Sequence, residues 1–236
     1  MSKKCIMKSI GQIFLKYRHA VPLILYAILY LSWFAHLEKN VTHRFHVIHM
    51  AIDNYIPFCE IFIIPYLLWF AYVSAAVLYC FFRDKDSYFK TCAFLFTGMT
   101  IFLIVSTIYP NGHYLRPAVM PRDNIFTQLV AFLYRTDTPT NLFPSIHVYN
   151  SIGAHLAILH CERLSERKGI RIGSGILCVS IILSTMFLKQ HSFFDVLTAF
   201  GLAAIMYLLV YRRDLILSAR RQFQSDHKER QPRTTA

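Results

Sequence analysis

The chain has 236 residues, 55% hydrophobic and only 16% charged, with the apolar residues gathered into long blocks; this excludes an ordinary soluble domain and reads as one polytopic membrane domain. The net charge of +12 lies in short basic segments between the apolar runs rather than on one face, which excludes nucleic acid as partner and makes these residues determinants of membrane topology. The six cysteines, Cys5, Cys59, Cys80, Cys92, Cys161 and Cys178, have no short paired spacing, so neither a zinc site nor a disulfide framework is expected and they read as small hydrophobes.

In chain order, residues 1–19 form a basic N-terminus with Lys3, Lys4, Lys8, Lys16 and Arg18. The apolar run Ala20–Leu37 follows, and nothing after it resembles a signal-peptide cleavage site, so it reads as a first span. Further spans are predicted over Ile56–Phe82, Thr91–Tyr109, Ser145–Cys161, Ile172–Leu188 and Phe193–Tyr211, each close to or above the ~17 residues needed to cross a bilayer. The expected fold is all-α, with six transmembrane helices over residues 20–211 and a basic, polar tail over 212–236. The fourth span carries Asn150, Ser151, His155 and His160, which requires its polar face to turn into the bundle.

With the N-terminus cytoplasmic, nineteen Lys and Arg fall on the inside and six on the outside (Lys39, Arg44, Arg116, Arg122, Arg135 and Lys189). The positive-inside rule therefore places both termini in the cytoplasm of a cell-membrane protein. In the first outer segment, His43, His46 and His49 are spaced three apart, but no carboxylate or Cys shares their register, so no metal is expected. The second, from Pro110 to Phe143, contains Asp123 as the expected cap of a short helix with Ile125, Phe126, Leu129, Val130, Phe132 and Leu133 on one side, read as an interfacial helix. The aromatic side chains, Trp33 and Trp69 included, read as lipid-facing and interfacial packing.

Three outer segments converge at this face: Arg116-Pro117, Pro144-Ser145-Ile146-His147, and Ser184 to Asp195 between the last two spans. Ionisable groups beside membrane spans are candidates for function. His191 and Asp195 are four apart, so on a helix beginning near His191 the carboxylate holds one imidazole nitrogen and leaves the other free to attack an electrophile. His147 supplies a second imidazole as acid. Arg116 suits phosphate oxygens, and the first amides of the fourth span, beside Ser145 and Ile146, form an anion site.

In these segments the chain resembles the type 2 phosphatidic acid phosphatase superfamily. The family pattern is Lys, six residues, Arg-Pro; then Pro-Ser-Gly-His; then Ser-Arg, five residues, His, three residues, Asp. The resemblance implies a metal-free and cofactor-free phosphohistidine mechanism: His191 attacks phosphorus, Asp195 orients it, His147 protonates the leaving oxygen, and Arg116, Ser145 and nearby amides hold the phosphoryl oxygens. Tyr109, Ile146 and Thr185 replace the family's Lys, Gly and Arg, removing two cations. Lys189, four residues after Thr185, is expected to restore one charge to the phosphate site. The lost Lys and Gly also resemble the branch of inositol phosphorylceramide and sphingomyelin synthases. Asp53 and Glu60 are candidate headgroup contacts.

The activity expected is hydrolysis of a lipid phosphate ester or pyrophosphate in the bilayer. A lipid headgroup phosphotransferase and a non-catalytic lipid-binding or transport protein are the alternatives.

Overall fold

The computed structural model describes residues 17–41 and 44–212. Lys3, Lys4, Lys8 and Lys16 of the basic N-terminus, Cys5, His43 and the tail from Arg213 onward lie outside the described residues. The described chain is mostly helical: α1 (Val21–Asn40), α2 (Ile63–Arg83), α3 (Lys85–Ile108), α4 (Ile125–Thr136), α5 (Ile146–His160), α6 (Lys168–Phe187) and α7 (Phe193–Tyr207), the last continued by a π-helical turn over Leu208–Arg212. Two short strands, β1 (His46–Val47) and β2 (Asn111–Gly112), pair in parallel.

Five stretches are long and apolar enough to cross a membrane: Arg18–Asn40, Glu60–Arg83, Lys85–Ile108, Lys168–Phe187 and Phe193–Arg212. Their outer sides expose large apolar residues such as Leu25, Ile28, Phe70, Ile176 and Leu197, an apolar surface that water would disfavour and lipid accepts. The protein is membrane-embedded. Helix α5 has 15 residues and spans only about 22 Å, less than the ~30 Å hydrocarbon core. It is also the central helix, packed against α2, α3, α6 and α7.

Local chemistry moves several boundaries away from their expected positions. The second helix begins at Ile63 rather than Ile56, because residues 57–59 are non-helical and a 3-10 turn over Glu60–Phe62 intervenes. Pro65 then falls in the first turn of α2, where the missing N–H breaks no helical bond. The third helix starts at Lys85 rather than Thr91, since the Asp84 carboxylate accepts from the Ser87 N–H at 3.0 Å and caps it. The interfacial segment is helical, but its cap is Asn124 and not Asp123. Asn124 and Thr127 form a reciprocal capping box, while Asp123 accepts from Gln128.

The core forms around α5. Asn150 and Ser151 are buried there, with the Ser151 hydroxyl donating to the His147 carbonyl at 2.6 Å. His155 pairs with the Ser174 hydroxyl at 2.9 Å, so Ser151 and His155 are served inside the bundle, while Asn150 Oδ1 is buried without a partner and His160 is exposed. Close approach of α3 depends on Gly98, where a Cβ would stand 2.0 Å from the Tyr149 ring. The Tyr149 hydroxyl completes that contact by donating to the Phe94 carbonyl at 2.7 Å. Cys80, Cys92, Cys161 and Cys178 pack in the same core.

At one end of the bundle the connecting segments are laced together. His46 donates its N–H to the Pro110 carbonyl and Ile48 to that of Gly112, extending the β1–β2 pair. The Asn111 side chain then accepts from the Leu142 and Phe143 N–H groups at 2.8 and 2.9 Å. These bonds fix the approach to Ser145, the first residue outside α5.

Candidate active site

The chain turns sharply between α6 and α7. Gln190 and His191 both donate their backbone N–H to the Thr185 carbonyl, at 2.9 and 3.0 Å, and Lys189 takes a positive φ of 53° to allow it. Helix α7 starts at Phe193, so His191 lies in the turn rather than on a helix face. Ser192 is the N-cap, and Asp195 completes a capping box by accepting from the Ser192 N–H at 3.0 Å. That backward turn brings the same oxygen, Oδ2, to 3.4 Å from His191 Nδ1. The expected His–Asp pairing is present, made by a capping box rather than by helical stacking.

His147, from the first turn of α5, places Nδ1 3.4 Å from His191 Nε2. With the His191 proton on Nδ1 facing the carboxylate, Nε2 is an acceptor and His147 Nδ1 carries the shared hydrogen. Burial, with Arg116 nearby, pushes the His191 pKa down to about 3, so the imidazole is neutral at physiological pH. Tyr66 stacks on the His147 ring at 4.8 Å and Trp69 packs on it at 4.4 Å. Trp69 therefore forms a wall of the site instead of facing lipid, against the sequence reading. Ser145 is fully buried; its hydroxyl accepts from the Val148 N–H at 3.4 Å as the cap of α5, and its own N–H donates to the Asp195 carbonyl. Ile146 lines the cleft beside His147.

The expected cations are arranged differently. Arg116 reaches the site, but Nη1 donates to the Tyr134 and Asp137 carbonyls and Nη2 to the Thr138 carbonyl and to Gln190 Oε1, at 2.6–3.2 Å. The guanidinium also lies 4.5 Å above the Tyr134 ring. Its terminal nitrogens are thus held by protein oxygens, and direct grip on a phosphate, as expected from sequence, is not the arrangement found. Lys189 likewise donates to the Asp53 and Ile56 carbonyls. Its assignment to the phosphate site is corrected: the positive φ of Lys189 and the reach of its chain make it a tie to the 53–56 loop.

Asp53 and Glu60 also depart from their candidate roles as headgroup contacts. The buried Asp53 carboxylate accepts from the Ser192 hydroxyl at 2.6 Å and from the Phe193 and Met50 N–H groups, both at 2.8 Å. It anchors the N-terminus of α7 from outside, where a negative charge is favoured by the helix dipole. Glu60 accepts from Arg122 at 2.6 Å and Asn124 at 3.0 Å, clasping the start of α4 to α2. Asp53→Ala is expected to cost about 2–3 kcal/mol, by leaving those buried donors unpaired. A lowered melting temperature, with Asp53→Asn falling less because it keeps an acceptor, checks this.

Two site residues were missed by the sequence reading although both sit in the stretches it singled out. Gln190 precedes His191 and is 1% exposed. His113, in Asn-Gly-His, accepts from the Leu115 N–H on Nδ1 and so donates from Nε2 to the Gln190 carbonyl at 2.9 Å. Burial pushes the His113 pKa down to about 4, which keeps it neutral in that role.

The resulting cleft has a volume of about 30 Å³ and is lined by His147, His191, Gln190, Asn141, Glu38 and Asp137 among others. That holds roughly one water and nothing larger. Burial raises the Asp137 pKa to about 6. Trp69 also walls an apolar groove of about 420 Å³ between α1, α2 and α3, in which the Tyr30 hydroxyl, Trp69 Nε1 and Asn150 Oδ1 are buried without hydrogen-bond partners. Among the described residues, no group of three or more His, Cys, Asp or Glu is placed to hold a metal ion. No family model, curated protein or solved structure matches the chain.

Proposed function

We propose that this protein is an integral membrane lipid phosphatase akin to the type 2 phosphatidic acid phosphatases, cleaving a lipid phosphate ester or pyrophosphate through a phosphohistidine. The observation that carries this reading is the buried Asp195–His191–His147 line, assembled from two separate segments with 3.4 Å between successive partners. The lone pair on His191 Nε2 attacks phosphorus, the bond to the lipid oxygen breaks, and His147, an imidazolium in the substrate complex, gives that oxygen a proton and is left neutral. Water then attacks phosphorus, its proton passes to His147, and the P–N bond breaks. His147 swings off His191 to admit the phosphoryl group. The apolar groove that meets the site at Trp69 supports a lipid substrate, since it offers an acyl chain a path alongside His147.

In the membrane, α5 is a sixth, short span whose Ser145 end is buried in protein and whose His160 end is exposed. Both termini are cytoplasmic and the site opens on the extracytoplasmic face, in keeping with the basic-residue asymmetry. Helix α4 lies at the interface: Phe126, Val130 and Leu133 turn toward the bundle, while Ile125, Leu129 and Phe132 stay exposed to lipid.

One observation favours headgroup transfer as the second reading. Glu38 and Asp137 line the cleft while Arg116 and Lys189 are held by main-chain and amide oxygens, surroundings kinder to a singly charged phosphodiester than to a dianionic monoester. Detergent-purified protein given a panel of phospholipids, with His191→Ala as the blank, separates the outcomes. Phosphate released with water as sole acceptor supports the phosphatase, and headgroup-exchanged lipid alone supports the transferase. Neither product, with lipid binding insensitive to His191→Ala, would sink the enzymatic reading in favour of a lipid-binding protein.

A further inference from the structure

Gln190 is a fully enclosed side chain with half of its amide unused. Its Oε1 accepts from Arg116 Nη2 at 2.6 Å, while Nε2 is buried without a hydrogen-bond partner. The assignment of oxygen and nitrogen follows from chemistry: a guanidinium only donates, so the oxygen faces Arg116 and the NH₂ group is turned away from it. Gln190 lines the same cleft as His147 and His191. Its main chain is pinned on both sides, the N–H to the Thr185 carbonyl and the carbonyl by His113. A rigidly held donor left unpaired in a protein interior is disfavoured unless a ligand, or the single water that the cleft has room for, completes it.

The cations near the cleft are all engaged by the protein. Thr185, where the resembling family has Arg, donates its hydroxyl to the Ile182 carbonyl at 2.7 Å and is fully buried. Lys189 ties the 53–56 loop, and both terminal nitrogens of Arg116 are held by protein oxygens. Among the described residues lining the cleft there is no Lys or Arg. Arg116 is hydrogen-bonded to two residues that line the cleft, through the Asp137 carbonyl and through Gln190 Oε1, and of these two groups only the polarised Gln190 amide has a donor left to offer.

Resting on the phosphoryl-transfer reading above, we propose that the Gln190 NH₂ group is a substrate-contacting donor that binds a non-bridging phosphoryl oxygen, with Arg116 positioning and polarising it from behind. A cation exchanged for a charge-backed amide keeps a preorganised donor at the place where negative charge builds up. It also lowers the positive potential, which bears on the kind of phosphate accepted.

Binding of orthovanadate, an inorganic phosphate analogue, to the detergent-purified full chain tests this by equilibrium dialysis, independently of turnover. Gln190→Glu keeps an acceptor for Arg116 and replaces the donor by an oxygen; Gln190→Met removes the donor without adding charge. The expected result is vanadate binding by wild type, weakened about tenfold or more in both variants, with the melting temperature of Gln190→Glu held by its new ion pair to Arg116. Unchanged vanadate affinity in both variants overturns the inference and leaves the phosphatase reading standing. Loss of fold in both assigns Gln190 a structural role and also overturns it, as does absence of vanadate binding by wild type. Gln190-dependent vanadate binding without turnover on any lipid supports the donor and removes the phosphatase reading instead.

Discussion

His191→Ala is expected to abolish phosphoenzyme formation and to lower phosphate release by roughly a thousandfold or more, the scale on which loss of a nucleophile acts. The side chain is 4% exposed, and its two polar contacts are both long, at 3.4 Å, so its removal takes little from the fold. Asp195 keeps its bond from the Ser192 N–H at 3.0 Å, and Ser192 keeps its bond to Asp53. The turn therefore survives without the imidazole. Incubation with a labelled lipid phosphate, acid-stable and base-stable adducts being distinguished after quenching, measures the effect: wild type gives an acid-labile, base-stable phosphoenzyme and His191→Ala gives none. A phosphoenzyme of undiminished yield in His191→Ala would move the nucleophile elsewhere. His147→Ala is expected to slow release of a lipid alkoxide far more than release of an activated phenolate, which needs no proton.

Arg116→Met is expected to have the largest combined effect. The guanidinium satisfies the carbonyls of Tyr134, Asp137 and Thr138 together with Gln190 Oε1. Without it these oxygens lose their donor in a mostly dry interior, at a cost on the order of 3 kcal/mol. The Gln190 amide also loses what fixes its orientation, and turnover is expected to fall by about a hundredfold, as when one preorganised donor is removed from an oxyanion site. Arg116→Lys should recover part of the stability and little of the turnover, because an ammonium lacks the planar fork that serves four oxygens at once. Melting temperature and phosphate release, measured side by side, separate the two effects. Equal recovery of both by lysine would count against orientation of Gln190 as the reason.

The departures from the sequence reading have a common physical character. The charge on a long side chain with several rotatable bonds suggests a phosphate contact, yet Arg116 and Lys189 reach carbonyls supplied by other segments of the chain. For Asp53 and Glu60 the sequence suggests a ligand, because a carboxylate near lipid asks for a partner. Their partners are protein groups: the Ser192–Phe193 turn for one, Arg122 and Asn124 for the other. Trp69 packs on His147 rather than lipid, a placement that hydrophobicity alone does not reveal because it does not say which side of a helix meets α5.

What the sequence determined by itself is the membrane character, the approximate positions of the apolar helices, and the pairing of His191 with Asp195. Each of these depends on composition over a long window or on residues a few positions apart. Only the tertiary structure decided that His147 Nδ1 faces His191 Nε2, that the Gln190 NH₂ group is buried without a partner beside their cleft, and that the basic side chains serve the walls of the site. Those contacts join residues 44 to 136 positions apart, and for such pairs it is the packing of the helices and of the segments that connect them, not local spacing, that sets which polar groups meet.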